Sequence, residues 1–463
     1  MNCTFESTMR PRFLPAFWFS LLVTLLVFAV TLDSPVLAQG KSGNAPGQNK
    51  GGGGDDGDGG GDDGGDDGGD DGGDDGGDDG DGSDPGTDPR FTFHLLGSRD
   101  GRVFDINDHG DVVGFQWFDD ELIPRAYVIP GVDGAPSEPG NLILLWDLLS
   151  DEQKDIYPNI PSVRAINNAG QIIAYSQFWV ETDDGEEELE RHWLRLNAMK
   201  EIDGQLEPWA SWHDLDIEVA IDPLHVGREL NVRAMNDWGN ITGTWDSKAF
   251  FWNYDDGVLQ FLGDADSSRG VDINNWDQVV GVSGSWPDPL RAFFYDPASD
   301  YGMIDLGALG PYSNDEPEGR AIAAGINDLG DVVGGSSAGY KGRWTTYTTP
   351  FRWRQETDVM EDLADDSNSS YNGNRASSIN NYDDVVGQYR FPDIGLSPFL
   401  YTNEHGMLVL PELIINVEDV PEGFQFSRMD PKINDQRVIL GEGSIGSEQG
   451  RFGYVLIPFV PAE

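Results

Sequence analysis

The chain has 463 residues, 82 of them acidic against 29 basic, for a net charge of −53. A field of that sign repels nucleic acid and anionic membrane surfaces, so no nucleic-acid partner is expected. A single cysteine, Cys3, and six histidines without HExxH or paired ligand spacing leave no disulfide framework and no metal-ligating set, and no cofactor is predicted.

Residues 1–38 read as an export signal. Arg10 and Arg12 precede an apolar run from Phe13 to about Leu32, and Val36-Leu37-Ala38 supplies a small-residue cleavage pattern. The apolar run is nearly long enough to span a bilayer, so an uncleaved anchor is the alternative, and membrane contact is expected only in that case. Residues 39–89 are Gly, Asp, Ser and Pro, with GGDD units from Gly60 to Gly80. Nothing there can bury apolar surface, which predicts a disordered, self-repelling linker. Its clustered Asp residues would attract Ca²⁺ weakly, but they lack the apolar position of the calcium-binding nonapeptide repeat. Residues 90–463 have the composition of a globular domain, and their net charge is still about −40.

Within that domain one phrase recurs seven times. It reads INDHGDVVG from Ile106, INNAGQIIA from Ile166, MNDWGNITG from Met235, INNWDQVVG from Ile273, INDLGDVVG from Ile326, INNYDDVVG from Ile379 and INDQRVILG from Ile433. The asparagines fall at 107, 167, 236, 274, 327, 380 and 434, the spacing of a repeat protein with variable loops. An apolar residue and Asn end one strand. A type I turn with a left-handed last residue, usually Gly, follows, and a β-branched pair starts the return strand. Asp277 and Asp383 replace that Gly and tolerate the left-handed region, whereas Arg437 is expected to mark a changed turn.

Two further phrases recur between the copies. One is an aromatic strand, such as RAYVIP at Arg125, KAFFWNY at Lys248 and RFGYVL at Arg451. The other is a strand ending near Asp-Leu-Gly, such as LLWDLL (Leu144–Leu149), MIDLG (Met303–Gly307) and LVLPEL (Leu408–Leu413). The last repeat lacks its fourth strand, while a spare Leu-Gly strand, HLLGS at His94–Ser98, precedes the first asparagine copy. That phase shift is what a closed ring needs, because pairing the two ends removes the exposed edges of an open array. The fold expected is all-β, a seven-bladed β-propeller over residues 90–463, closed by pairing of an N-terminal strand with the C-terminal blade. An open β-solenoid is the alternative.

The combination of I-N-D-x-G-x-V-V-G, an Ala-Phe-aromatic strand and a D-L-G strand resembles the bacterial family of extracellular repeats named HAF, over about residues 90–460. The resemblance implies a secreted or surface protein, extracellular, periplasmic or on the bacterial cell surface. It implies no established activity, and no catalytic or ligand residue is carried over from it.

No nucleophile elbow, phosphate loop or zinc motif is present, and no catalytic residue is assigned. Acid pairs such as Asp119-Asp120, and the run Glu181–Glu190, read as solvated loops. Trp238, Trp252, Trp276 and Trp353 sit at repeat positions, where core packing is expected rather than sugar stacking. One pattern exceeds this background: an Arg lies three to seven residues before each asparagine, at Arg102, Arg164, Arg233, Arg269, Arg320, Arg375 and Arg428. If the closing strand is outermost, these arginines enter the innermost strands and form a candidate ligand-binding set at a channel mouth. The rival expectation is that each pairs with a carboxylate of its own or the next blade. Three functions follow: a binding or scaffold module for a protein or glycan, a carboxylate-based carbohydrate-active enzyme with its site in the channel, or an anchored structural protein on an Asp-Gly stalk.

Overall fold

The computed structural model describes residues 89–460, apart from 97–99, 119–122, 138–140, 182–186, 198–199, 203–204, 208–212, 215–229, 264–266, 285–288, 300, 312–318, 339–347, 365–372, 427–429 and 447–449. The expected export segment, the Gly/Asp-rich linker up to residue 88, the pair Asp119-Asp120 and Arg428 lie outside the described residues.

The chain forms a seven-bladed β-propeller. In the first six blades the strands follow chain order from inner to outer edge. Blade 4 is representative: Ser268–Ile273 is innermost, then come Val279–Ser283, Arg291–Tyr295 and Met303–Asp305. Blade 7 is completed by the other end of the chain. Phe91–Leu96 pairs antiparallel with Arg451–Pro458 as the outer strand, with Phe91 opposite Pro458 and Leu96 opposite Gly453. Its outer edge is covered in turn, since Phe93 N–H donates to Asn416 Oδ1 at 2.7 Å and Asn416 Nδ2 donates back to Phe93 O at 3.0 Å.

The recurring phrases have one packing cause. Each of the first six blades carries a register shift in its inner strand, as between Gly270 and Asp272. At the Val-Val-Gly glycine the inner strand's backbone comes so close that a Cβ at Gly281 would meet the Arg269 carbonyl, and one at Gly387 the Arg375 carbonyl. The space above that glycine is filled by an aromatic ring from the third strand. Gly281 pairs with Phe293, Gly334 with Phe351, Gly387 with Phe399 and Gly441 with Tyr454, and all four rings are buried. In blade 2 the glycine is Ala174, and its partner is the smaller Leu194. The leucine of the Asp-Leu-Gly phrase closes the core between blades, with Leu262, Leu306 and Leu363 buried.

The structure corrects several sequence expectations. Arg437 does not change its turn: its φ of 59° matches Asp277 and Asp383 and the glycines of the other copies. The strain of a left-handed Arg is offset by two guanidinium bonds to the Asp384 carboxylate of blade 6, at 2.5 and 3.1 Å. Of LLWDLL only Leu144 is strand, ending Ile143–Leu144 before a 3-10 turn at Leu145–Leu148, and LVLPEL likewise turns at Leu410–Leu413. The acidic run at Glu181–Glu190 is partly strand, continuing the hairpin Gln171–Glu181 and Glu187–Asn197 of blade 2. Trp252 and Trp353 are core, but Trp238 and Trp276 are 67% and 68% exposed.

Deleting residues 39–89 should leave the melting temperature nearly unchanged. Deleting residues 39–98 should lower it by about 10 °C or more, because blade 7 then loses Phe91, Phe93 and Leu96 from its core and bares two edges. Equal melting of the two proteins would contradict closure through this strand.

Candidate functional site

The axis of the propeller is built from the seven asparagines. Each is 3–5% exposed. Its Oδ1 accepts the backbone N–H four residues on, at 2.8–3.0 Å, which holds the turn. Its Nδ2 donates to the carbonyl of the next blade's asparagine, at 2.8–3.2 Å. The seventh bond, from Asn434 to the carbonyl of Asn107 at 2.9 Å, closes the circle.

The residue after each asparagine makes a second circle. Its backbone N–H donates to the side-chain oxygen of its counterpart in the next blade, at 2.8–2.9 Å in all seven steps. Round the ring these residues alternate: Asp108, Asn168, Asp237, Asn275, Asp328, Asn381 and Asp435. Each Asn amide bridges the two flanking carboxylates, as Asn275 does to Asp237 at 2.9 Å and Asp328 at 3.0 Å. Seven is odd, so Asp435 and Asp108 meet without an amide between them. Burial and the Asp435 charge push the Asp108 carboxyl above its usual range, against the bond from Asp435 N–H. The two circles line a small pocket of about 180 Å³ at this end of the channel.

Behind the ring the channel widens to a cavity of about 490 Å³, lined among others by Arg102, Arg164, Arg233, Lys432, Asp105 and Asp272. Lys432 stands between the last two. Burial alone would lower its pKa, but the charges of Asp272 and Asp105 outweigh that and hold it above the usual lysine range. Each acid also caps the next inner strand, since Ile166 N–H donates to Asp105 at 3.0 Å and Ile326 N–H to Asp272 at 3.1 Å.

The arginines singled out from the sequence fall into distinct settings. Arg102 and Arg375 meet carboxylates: Arg102 Nε is 3.1 Å from Glu442, and Arg375 holds Asp430 in two-pronged fashion at 2.7 and 2.9 Å. Both acids line the cavity. Arg164 and Arg233 occupy the register shift itself, three residues before their asparagines, and line the cavity. Among the described residues neither makes an ion pair with a carboxylate. Arg164 lies 5.4 Å above the Phe104 ring, which Arg102 also approaches at 5.2 Å. Burial lowers the pKa of both, and neighbouring guanidiniums lower it further: Arg233, Arg191 and Arg102 for Arg164, and Arg269 for Arg233. Arg269 is exposed, and the Arg320 backbone N–H bonds Ser337 Oγ at 2.9 Å. Sequence reasoning did not single out Lys432, Asp105 or Asp272. Their signal is positional: all three stand two residues before the asparagine, where other copies carry Ala, Gly or Ser.

No protein-family model and no curated protein matches the chain. Among solved structures it is similar to TolB from Acinetobacter baumannii, at 11% identity, TM-score 0.35, and coverage of 81% of this chain and 98% of that one. It is also similar to the extracellular domain of a one-component system from B. thetaiotaomicron, at 10% identity and TM-score 0.38, covering 80% and 40%. A third is Porphyromonas gingivalis dipeptidyl peptidase 4, at 8% identity and TM-score 0.36, covering 79% and 53%. The chain thus spans about half or less of the length of the last two.

The Asp105 carboxyl is pushed from 3.8 up to about 6 by burial, which outweighs Lys432 and the Ile166 N–H. Its folded value lies above its unfolded one, so its contribution is full below about pH 4 and is lost as the pH rises through about 6. Asp105→Asn keeps an acceptor for the Ile166 N–H. It should flatten the decline in stability between about pH 4 and 6. Urea melts showing the same slope as the parent would contradict this.

Proposed function

We propose that the chain is an exported binding module of the HAF repeat type, carried on residues 1–38 as export signal and 39–89 as linker, whose channel takes a carboxylate-bearing glycan. The observation that carries this reading is the charge balance of the cavity. Arg102 is matched by Glu442, Arg375 by Asp430, and Lys432 by Asp105 and Asp272. Arg164, half-buried, and Arg233, more exposed, remain without a carboxylate among the described residues, in a protein of net charge −53. Two guanidiniums on one cavity wall repel each other unless an anion joins them, and planar guanidinium groups grip carboxylates in two-pronged fashion.

A volume of about 490 Å³ suits one or two sugar rings. The Phe104 face and Asn231 on the wall provide the apolar and hydrogen-bonding contacts a sugar uses. Asp105 and Asp272 are committed to backbone N–H groups and to Lys432, which favours binding over hydrolysis by a carboxylate pair.

Calorimetric titration of the full chain with digalacturonate should show binding that weakens between 50 and 300 mM salt, with neutral digalactose at least tenfold weaker. Arg164→Ala or Arg233→Ala should raise Kd by about 10- to 100-fold, the range for a lost hydrogen bond to a charged group. Lys154→Ala, in the surface helix Asp151–Ile156 away from the cavity lining, should stay within about twofold. Equal binding of the acidic and neutral sugars, or none of either, would contradict the reading.

A further inference from the structure

The opposite end of the channel has different chemistry. The residue following each Asp/Asn of the second circle points off the turn, and in blades 3 to 6 it is Trp238, Trp276, Leu329 and Tyr382. These side chains are 67%, 68%, 57% and 66% exposed. The turn does not require them, since other copies carry His109, Ala169 or Gln436 at the same place. Four large apolar side chains on consecutive turns of one face form a patch that water alone does not explain.

Two of them are held in place. Trp238 Nε1 donates to the Asn275 carbonyl at 2.9 Å, and Trp276 Nε1 to the Asp328 carbonyl at 2.9 Å. Each indole is thereby tied to the next blade's residue of the second circle, with the ring exposed beside the axial pocket. That pocket is lined by Asp108, Asp237, Asp328 and Asp435, with three Asn amides and no basic residue. Cations on this face are engaged elsewhere: Arg354 sits 3.0 Å from Asp331 and 3.1 Å from Asp383, Arg437 bonds Asp384, and the Arg195 guanidinium lies 3.1 Å from the Tyr254 ring centroid.

An acid-lined pocket of about 180 Å³ admits one side-chain head group and no larger element. Rigid aromatic faces at its rim suit the aliphatic and cationic parts of such a side chain. We propose that this face docks a basic peptide segment of a partner protein: one guanidinium enters the carboxylate ring, and the flanking apolar residues lie along Trp238, Trp276, Leu329 and Tyr382. This surface is distinct from the arginine-lined cavity, so either can fail without the other.

The test is fluorescence anisotropy with the full chain at 150 mM salt. The probe is fluorescein-Gly-Leu-Arg-Gly-Leu-amide, compared with the same peptide carrying citrulline, which keeps the shape of Arg and removes its charge. The arginine peptide should bind at least tenfold tighter. The double variant Trp238→Ala/Trp276→Ala should weaken it at least tenfold while lowering the melting temperature by only a few degrees, the cost of two exposed cross-blade bonds. Asp435→Asn removes one charge where an amide can bridge to Asp108, and should weaken binding at least threefold. Asp256→Asn, an exposed acid in the loop between the third and outer strands of blade 3, should leave it unchanged. No binding, equal affinity for the two peptides, or equal loss from Asp256→Asn and Asp435→Asn would overturn the proposal.

Discussion

Seven asparagine side chains hold this propeller together at its narrowest point. Each spends its oxygen within its own turn and its amide on the neighbour's carbonyl, so folding of one blade organises a donor for the next. Each axial asparagine carbonyl already accepts an N–H of its own turn, as Asn107 does from Gly110 at 3.1 Å, and its second lone pair faces the neighbouring blade. The asparagine amide supplies that second donor seven times, across each blade boundary, and the circle closes on itself at Asn434 and Asn107. The other repeated residues follow from that geometry. The inner strands converge, their backbone comes onto the Val-Val-Gly glycine, and an aromatic ring from the third strand, or Leu194 opposite Ala174 in blade 2, fills the space left there.

Much of the fold was legible because it depends on short-range chemistry. The repeat count, the turn and the aromatic strand are local patterns, and the displaced Leu-Gly strand at residues 91–96 told that the ring closes through blade 7. The misreadings of Arg437 and of the two exposed tryptophans share a cause, which is dependence on a neighbouring blade. Arg437 suits its left-handed turn only because Asp384 of blade 6 takes its guanidinium. Trp238 and Trp276 stay in water because their indole N–H groups are bound by the next turn. The asparagine itself was readable as turn chemistry, but its amide's use across the blade boundary was not.

The candidate site was half legible for the same reason. Recurrence of Arg before each asparagine pointed to the channel, and Arg102, Arg164 and Arg233 do line it. Which of them lack a carboxylate depends on Glu442, Asp430 and Lys432, contributed by blade 7 far along the chain. The result is an axis with two unlike ends: surplus guanidinium groups in the wide cavity, and four carboxylates with exposed indoles at the asparagine turns. An odd number of blades adds one mismatch, the adjacent Asp435 and Asp108, that no even ring of alternating Asp and Asn would contain.

Equilibrium urea unfolding of Asn274→Ala tests the central role of the asparagine circle most directly. Asn274 makes four bonds: to Gln278 Oε1, to the Asn327 carbonyl, and from the N–H groups of Trp276 and Gln278, all at 2.8–3.0 Å. Its removal strands buried partners in two blades and should cost about 3 kcal/mol or more in a single cooperative transition. A loss below about 1 kcal/mol would mean that the blades are held by their apolar cores alone, and would contradict the account.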